Sequence, residues 1–372
     1  MTTVVVVGGG LVGALVAKKL AAHAALDVLL LDTRDHTLFK VASLRAAVLG
    51  GQHARDAAMP RTKMTEGAAP DRRVRVRVGK VASVTERAVM MDDGEEIPFD
   101  YCVAATGATN NSPGEPPQDL STRDQVVAYF DSVSAAVREA ARITIVGGGV
   151  VGVELAGEIK ARFSAKEVAI VHAGDELLSS SHGITTSHFR ASVLSSVRKL
   201  GVQVHLGRRV ALDKARDSAE TVVPGKQTLV LDNGDQLETD LLFVCIGTTP
   251  NNSMYPPAWL APDSGLLRVR HTMQLQDHDH IFAVGDIADV APEKMFRYGV
   301  VQADIVVANI VTLSRSGSTA LRRYRDPVAI MMVPLGPKGG VSIVGRWLTF
   351  GDWFTRFKSK TLFVPRFQKD LA

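Results

Sequence analysis

The sequence lacks several features that would each define a class of protein. Its 372 residues include only two cysteines, Cys102 and Cys245, which lie far apart within apolar runs. This spacing excludes both a disulfide scaffold and a Cys-x-x-Cys redox pair. No uninterrupted apolar run reaches the roughly 18 residues of a membrane span. The hydrophobic share of 46% and the charged share of 22% are those of a globular protein, so extensive disorder is excluded as well.

Targeting signals are also scarce at the start of the chain. The first predicted strand begins near Thr3, which leaves no room for a signal or transit peptide, and residue 2 is a threonine where N-myristoylation requires glycine. We therefore expect a cytoplasmic protein without a transmembrane helix, at most peripheral on a membrane or lipid droplet. The formal net charge is only +4, and the basic residues are concentrated in the segment 321–372.

What the sequence does contain is a glycine-rich turn directly after an apolar strand. Residues 3–7 are predicted to form a strand buried on both faces, and Gly8, Gly10 and Gly13 follow in the spacing of a dinucleotide-binding loop. The glycines allow a tight turn, close approach of a pyrophosphate and close packing of the next helix. The next strand ends in Asp32, about 20 residues further on, where a carboxylate binds a ribose hydroxyl. A purely structural turn is the alternative, but it leaves Asp32 unexplained.

The same pattern returns later in the chain. An apolar strand again precedes Gly147, Gly149 and Gly152, and the next predicted strand ends in His172. Because the two copies lie much further apart than the repeats of a solenoid, they indicate duplication of a nucleotide-binding domain. A histidine in place of the acid leaves NADPH open, since no carboxylate repels a 2′-phosphate, while the nearby Asp175 keeps NADH open.

Other predicted elements connect these two copies. Two apolar strands, at 100–107 and 240–247, each end in a glycine, and a third delivers Asp286 directly after Gly285. The remaining pattern predicts a β-meander at 74–99 and helices at 122–140 and 298–313.

Three further features are ambiguous. Arg45 lies among apolar residues, where its charge needs a partner, and both a cofactor and a nearby acid are open. Alternating arginine and valine at 72–78 would suit nucleic acid, but a solvated strand face is favoured, so no nucleic-acid partner is expected. The histidines at 271–280 match no usual metal spacing and predict a polar loop without a metal.

In order, the two glycine loops, the Ala-Thr-Gly turn at 105–107 and the Gly285-Asp286 strand end resemble the two-dinucleotide flavoprotein oxidoreductases, relatives of glutathione reductase, ferredoxin reductase and type II NADH dehydrogenase. The resemblance covers essentially the whole chain. It implies an α/β fold of two Rossmann-like domains, glutathione-reductase-like, with a small C-terminal α+β region. FAD is expected in the first loop and NAD(P)H in the second. The cofactor-binding residues implied are Gly8, Gly10, Leu11, Val12, Gly13, Asp32, Arg45, Val81, Thr106, Gly107, Gly147, Gly149, Gly152, His172, Gly285 and Asp286.

Within this family the chain is most similar to the apoptosis-inducing-factor-like branch and its ferroptosis suppressor group of NAD(P)H:quinone oxidoreductases, through the segments 41–46, 152–160 and 358–364. The resemblance implies that Glu154 points toward the nicotinamide and flavin; a glutamate stabilised by the helix dipole is the alternative. The expected FAD-binding domain has two parts, at 1–112 and 246–320, and the NAD(P)H-binding domain lies between them, at 113–245. The C-terminal region at 321–372 is expected to form a quinone, membrane or dimer face.

The electron acceptor follows from the missing cysteine pair. Without a disulfide route, a lipophilic quinone such as coenzyme Q is favoured. The rivals are a flavoprotein scaffold like apoptosis-inducing factor, which binds nucleic acid or other partners, and a reductase of a one-electron acceptor such as ferredoxin.

Aromatic residues in the tail recur at helical spacing, at Trp347, Phe350, Phe354 and Phe357. One helix carrying all four would cover the flavin, present rings to a quinone and meet anionic lipid. A core helix or a dimer face is the alternative, which leaves both monomer and homodimer open. Lys358 is predicted to stabilise the reduced flavin or a quinol oxyanion, with a solvated lysine as the alternative.

Overall fold

The structure is a computed structural model that describes residues 1–62, 64, 74–179, 183–211, 221–290, 294–315, 320–345 and 347–371. The helices are α1 (Leu11–Ala21), α2 (Lys40–Leu49), α3 (Gln52–Ala57), α4 (Arg123–Glu139), α5 (Val150–Arg162), α6 (Ser187–Lys199), α7 (Phe296–Ser314), α8 (Asp352–Ser359) and α9 (Val364–Leu371). The strands are β1 (Thr2–Val7), β2 (Leu26–Asp32), β3 (His36–Leu38), β4 (Ala58–Pro60), β5 (Arg75–Val78), β6 (Val81–Val84), β7 (Ala88–Met91), β8 (Glu96–Pro98), β9 (Tyr101–Ala104), β10 (Ala108–Asn110), β11 (Arg142–Val146), β12 (Glu167–His172), β13 (Val202–Leu206), β14 (Val222–Val230), β15 (Gln236–Val244), β16 (Thr248–Pro250), β17 (Leu267–Arg268), β18 (Ile281–Ala283), β19 (Ala288–Asp289), β20 (Ile330–Pro334), β21 (Gly340–Val344) and β22 (Leu348–Phe350).

A parallel sheet in the order β18-β9-β1-β2-β5 forms the core of the first nucleotide-binding unit. The valine run of β1 lies at its centre and is at most 3% exposed from Val4 to Val7, which explains why these four positions carry no polar residue. Strand β18 comes from much later in the chain and pairs with β9. The sheet thus combines residues from both predicted parts of the FAD-binding domain, although the domain boundaries themselves stay a prediction.

The second unit has a sheet in the order β13-β12-β11-β15-β14, in which only the pairing of β14 with β15 is antiparallel. That hairpin turns at Asp232-Asn233-Gly234, as turn-forming residues between two strands require. Short antiparallel pairing of β10 with β16 joins the two units.

The predicted meander begins later than expected. Only β6, β7 and β8 form it, while β5 pairs in parallel with β2 and extends the first sheet. An ion pair between Arg75 and Asp27, 2.5 Å apart, links these two strands at their exposed edge. The remaining arginine-rich residues 71–73 lie outside the described part of the chain.

The C-terminal region is a three-stranded antiparallel sheet, β20-β21-β22, with α8 packed against it. The prediction of one aromatic helix is therefore wrong for two of its four residues. Phe350 lies in β22 and Trp347 in the turn before it, because Leu348 to Phe350 pair with β21, and Gly351 then caps the start of α8. Helix α9 returns to the first unit, where the ring of Phe367 lies 5.2 Å from that of Phe39.

Helix α7 has an apolar composition and lies within the first unit. By length and mean hydropathy it could cross a membrane. Its apolar sequence is interrupted by polar residues, so it contains no uninterrupted apolar run of the length of a span. The helix packs against α1 and against the turn at 285–287. Its buried Asn309 donates to the carbonyl of Thr272 over 3.0 Å, so its polar groups are bonded within the first unit.

Candidate active site

The first glycine loop lies where β1 ends and α1 begins. Gly8 has a φ of +102°, and a Cβ on it would lie 2.5 Å from the carbonyl oxygen of Ala105. A Cβ on Gly13 would lie 2.0 Å from the carbonyl oxygen of Gly8, so α1 and β1 are packed too closely for any side chain. Around Gly10, by contrast, no described heavy atom lies within 4 Å of that position. Its open side suits a phosphate.

Asp32 is held at this loop by three donors, one of which is the backbone N–H of Arg34, 2.8 Å from Oδ1. It accepts the backbone N–H of Gly9, and its Oδ2 lies 2.9 Å from Nη2 of Arg61. Arg61 is 4% exposed and also donates to the carbonyl of Gly9 over 2.8 Å. Burial lowers the pKa of Arg61, and the charge of Asp32 opposes this shift. Sequence reasoning missed Arg61 because it belongs to no motif and meets Asp32 only through folding.

The second loop repeats this geometry with a different side chain. A Cβ on Gly152 would lie 2.0 Å from the carbonyl oxygen of Gly147, as in the first loop. The N–H of Gly148 donates to Nδ1 of His172 over 3.1 Å, just as that of Gly9 donates to Asp32. We therefore assign the imidazole proton to Nε2, which lies 3.0 Å from Oγ of Ser179. Burial lowers the pKa of His172, which favours the neutral ring.

The remaining predicted cofactor residues lie in several parts of the two units. Val12 lies beside the turn that carries Gly285 and Asp286. A Cβ placed on Gly285 would lie 3.9 Å from the Cβ of Val12. Thr106 Oγ1 donates to the carbonyl of Asn251 over 2.7 Å. The turn at 105–107 is thereby tied to the connection between the two units. Gly107 ends the turn at 105–107 with a φ of +66°. Leu11 is the first residue of α1, and Gly149 directly precedes α5. Val81 is the first residue of β6.

The two residues predicted to be catalytic meet in the structure. Lys358 of α8 places Nζ 3.1 Å from Oε1 of Glu154 on α5, and also donates to the carbonyl of Met332 over 3.0 Å. The side chains are 18% and 15% exposed, so the ion pair is largely shielded from water. Burial raises the pKa of Glu154, and the charge of Lys358 opposes that rise. The structure therefore does not support Lys358 as a solvated lysine.

Arg45 has an acidic partner in the structure, one of the two alternatives that the sequence left open. Its Nε and Nη2 donate to the two oxygens of Glu158 over 2.9 and 2.7 Å. Arg45 and Glu158 are 6% and 4% exposed. The structure thus supplies the acidic partner, and a contact between Arg45 and a cofactor stays a prediction. Glu158 was missed by sequence reasoning, although it lies one helical turn after Glu154.

The cysteines do not form part of this site. Both are free, and burial raises the pKa of Cys102 and of Cys245 to about 12. Neither thiol is therefore a nucleophile at neutral pH. In the described part of the chain, no group of three or more His, Cys, Asp or Glu side chains has a metal-binding arrangement.

Comparison with known proteins identifies the class. The model of the pyridine nucleotide-disulphide oxidoreductase family matches residues 2–303. The chain belongs to this family. It is an FAD-dependent pyridine nucleotide oxidoreductase, and both glycine loops fit the two nucleotides, since each combines a sterically closed third glycine with an open second one.

Its relatives among known proteins match nearly the whole chain. Ferroptosis suppressor protein 1 of Homo sapiens is 31% identical over 378 residues, which cover 97% of this chain and 93% of that protein. Apoptosis-inducing factor homolog A of Dictyostelium discoideum is 30% identical over 382 residues, with 98% and 90% covered. These matches confirm the branch to which the sequence was assigned.

Solved structures confirm the fold. The sulfide:quinone oxidoreductase of Aquifex aeolicus superposes with a TM-score of 0.73 at 17% identity, over 100% of this chain and 91% of that one. The ferredoxin reductase of the CYP199A2 system of Rhodopseudomonas palustris gives 0.65 at 18% identity, over 95% and 91%. The α/β architecture with two nucleotide-binding units was thus correctly predicted.

Proposed function

We propose that the protein is an NAD(P)H:quinone oxidoreductase whose acceptor is a lipophilic quinone such as coenzyme Q. The observation that carries this proposal is the shielded ion pair between Lys358 and Glu154, which brings the C-terminal region onto the helix that follows the second glycine loop. Inert cysteines support it, because a reductase of disulfides needs a reactive thiol pair.

The side chains around this pair suit quinone reduction. FAD held at the loop of Gly8, Gly10 and Gly13 would supply the chemistry that accepts a hydride from NAD(P)H and passes electrons to an acceptor. The Lys358 ammonium provides a hydrogen-bond donor and a positive charge where negative charge develops on a quinone oxygen. The ionised carboxylate of Glu154 keeps that ammonium in place, and burial raises the pKa of this carboxyl above its ordinary value.

The second glycine loop is proposed to accept both NADH and NADPH. The neutral ring of His172 replaces the carboxylate that would repel a 2′-phosphate, and it offers Nε2 as a donor. Asp175, the nearest acid in the sequence, is exposed and free to turn toward solvent.

Exposed apolar side chains of the C-terminal region support the delivery of a lipophilic quinone from a membrane. This aromatic surface consists of Trp347, Leu348, Trp353 and Phe357, which are 89%, 57%, 74% and 76% exposed. Trp353 and Phe357 lie on α8, the helix that carries Lys358. Exposed Arg356 and Lys360 flank them. Aromatic rings beside basic charge suit the interface of a bilayer that contains anionic lipid.

A panel of acceptors tests the proposed function. NADH and NADPH oxidation is measured in steady state with a short-chain quinone, coenzyme Q in vesicles, ferredoxin and no acceptor. We expect rapid oxidation only with the quinones. Turnover that requires ferredoxin would replace the proposal with a one-electron reductase, and slow turnover with salt-sensitive DNA binding would replace it with a scaffold.

The aromatic surface is tested by comparing two forms of quinone. We expect the double variant Trp353→Ser and Phe357→Ser to lose about tenfold in turnover with coenzyme Q in anionic vesicles, because less protein binds to them. Turnover with a water-soluble quinone should stay unchanged, since Lys358 is kept. The control is Val328→Ser, which changes an apolar residue that is 62% exposed outside this surface. If the double variant is monomeric where the wild type is a dimer and binds vesicles equally well, the surface is a dimer face.

A further inference from the structure

Helix α5 carries two carboxylates one turn apart, and a cation from another part of the chain meets each of them. Glu154 pairs with Lys358 of the C-terminal region, and Glu158 pairs with Arg45 of the first unit. Three regions that are distant in sequence therefore meet along one face of α5. Both pairs are shielded from water, so their charges act on one another with little screening.

Arg45 also holds the backbone directly after Lys358. Its Nη2 donates to the carbonyl of Ser359 over 2.7 Å, and its Nη1 lies 3.3 Å from the carbonyl of Lys360. These carbonyls belong to the C-terminal end of α8, where a cation is favoured by the unpaired carbonyls and the helix dipole. One guanidinium thus connects Glu158 to the two residues that follow Lys358.

We infer that Arg45 is a positioning residue for the redox site, which fixes the end of α8 so that Lys358 reaches Glu154, and whose pairing with Glu158 balances the charge beside Glu154. This inference rests on the proposed function, since quinone turnover is one of its readouts. It gives Arg45 and Glu158 a role that requires no contact with the cofactor.

The charged groups around Glu154 determine the sign of each expected effect. Lys358 faces Glu154 from α8, Glu158 lies on α5 itself and Arg45 faces it from α2; His53 of α3 lies near Arg45 and Glu158. The charge of Glu158 raises the pKa of Glu154, and the charges of Lys358 and Arg45 lower it. Removal of Arg45 therefore raises the pKa of Glu154, and removal of the charge of Glu158 lowers it.

The test uses holoenzyme variants Arg45→Gln, Glu158→Gln, the double variant and Arg45→Lys. We expect the midpoint of the low-pH limb of quinone turnover to rise by about one pH unit in Arg45→Gln and to fall by a similar amount in Glu158→Gln. In the double variant it should return close to the wild-type value. Arg45→Lys keeps the charge and should keep the midpoint. It should lose about tenfold in turnover, because a lysine cannot donate to both oxygens of Glu158 and to the end of α8 in the geometry of a guanidinium.

A second readout does not depend on turnover. Hydrogen exchange of the amides at 355–362 should be faster in Arg45→Gln and Arg45→Lys, since the end of α8 loses its anchor. The matched control is Arg142→Gln, which breaks a pair with Asp240, 2.9 Å long, at the amino end of β11 and should change neither exchange at α8 nor the pH profile.

The outcomes separate the two proposals. If the midpoints of Arg45→Gln and Glu158→Gln move in the same direction or stay put, or if exchange at α8 is unchanged, the positioning role is wrong. If exchange responds as expected but the wild-type protein does not oxidise NAD(P)H faster when quinone is added, the anchor exists and the proposed function is wrong.

Discussion

Replacement of Lys358 by alanine is expected to lower turnover with quinone by about a hundredfold, the usual loss when a single donor to a developing oxyanion is removed. Reduction of bound flavin by NAD(P)H should change much less, because the second glycine loop and His172 are untouched. Stopped-flow absorbance of the flavin in separate reductive and oxidative half-reactions measures the two effects. Lys358→Arg keeps the positive charge and should recover part of the lost rate.

The pH profile of the same variant has a defined sign. The charge of Lys358 lowers the pKa of Glu154 and partly offsets the rise due to burial. Without Lys358 that pKa rises further, so the low-pH limb of turnover should move to higher pH. The matched control is Lys338→Ala, an exposed lysine in the turn before β21, which should leave rate and profile unchanged. Equal rates of quinone turnover for Lys358→Ala and Lys338→Ala would show that Lys358 has no role in quinone reduction.

The second large effect comes from the third glycine of each loop. Gly13→Ala places a methyl group 2.0 Å from the carbonyl oxygen of Gly8, an overlap that only movement of α1 away from β1 relieves. We expect the protein to lose about 1–3 kcal/mol of stability and most of its flavin. Gly152→Ala makes the same overlap with Gly147 in the second loop. This variant should stay yellow and fail to be reduced by NAD(P)H.

Gly10→Ala is the matched comparison for these variants. The new methyl group meets no described atom within 4 Å, so the apoprotein should keep its Tm while its affinity for FAD falls. Flavin absorbance after gel filtration and thermal unfolding with and without added FAD measure both quantities. A Gly13→Ala protein with full flavin content and an unchanged Tm would contradict the assignment of the first loop.

Several parts of the fold could be predicted because local sequence encodes them. A valine run buried on both faces, glycines at fixed spacing and an acid at the next strand end are properties of short segments, and each determines its own backbone conformation. The prediction of β5 as part of the meander failed because its local sequence does not determine its partner strand. An alternating strand has the same local pattern in a meander and at the edge of a parallel sheet, so only its partner distinguishes the two.

The sequence by itself therefore determined the two glycine loops, their strands and helices, and the use of two dinucleotides. Tertiary structure decided which distant side chains meet: Lys358 with Glu154, Arg45 with Glu158, and Arg61 with Asp32. It also decided that Phe350 lies in a strand, because β21 offers that segment a partner. The physical reason is that a buried charge or an unpaired strand edge requires a partner, and spacing along the chain carries no information about which distant segment supplies it.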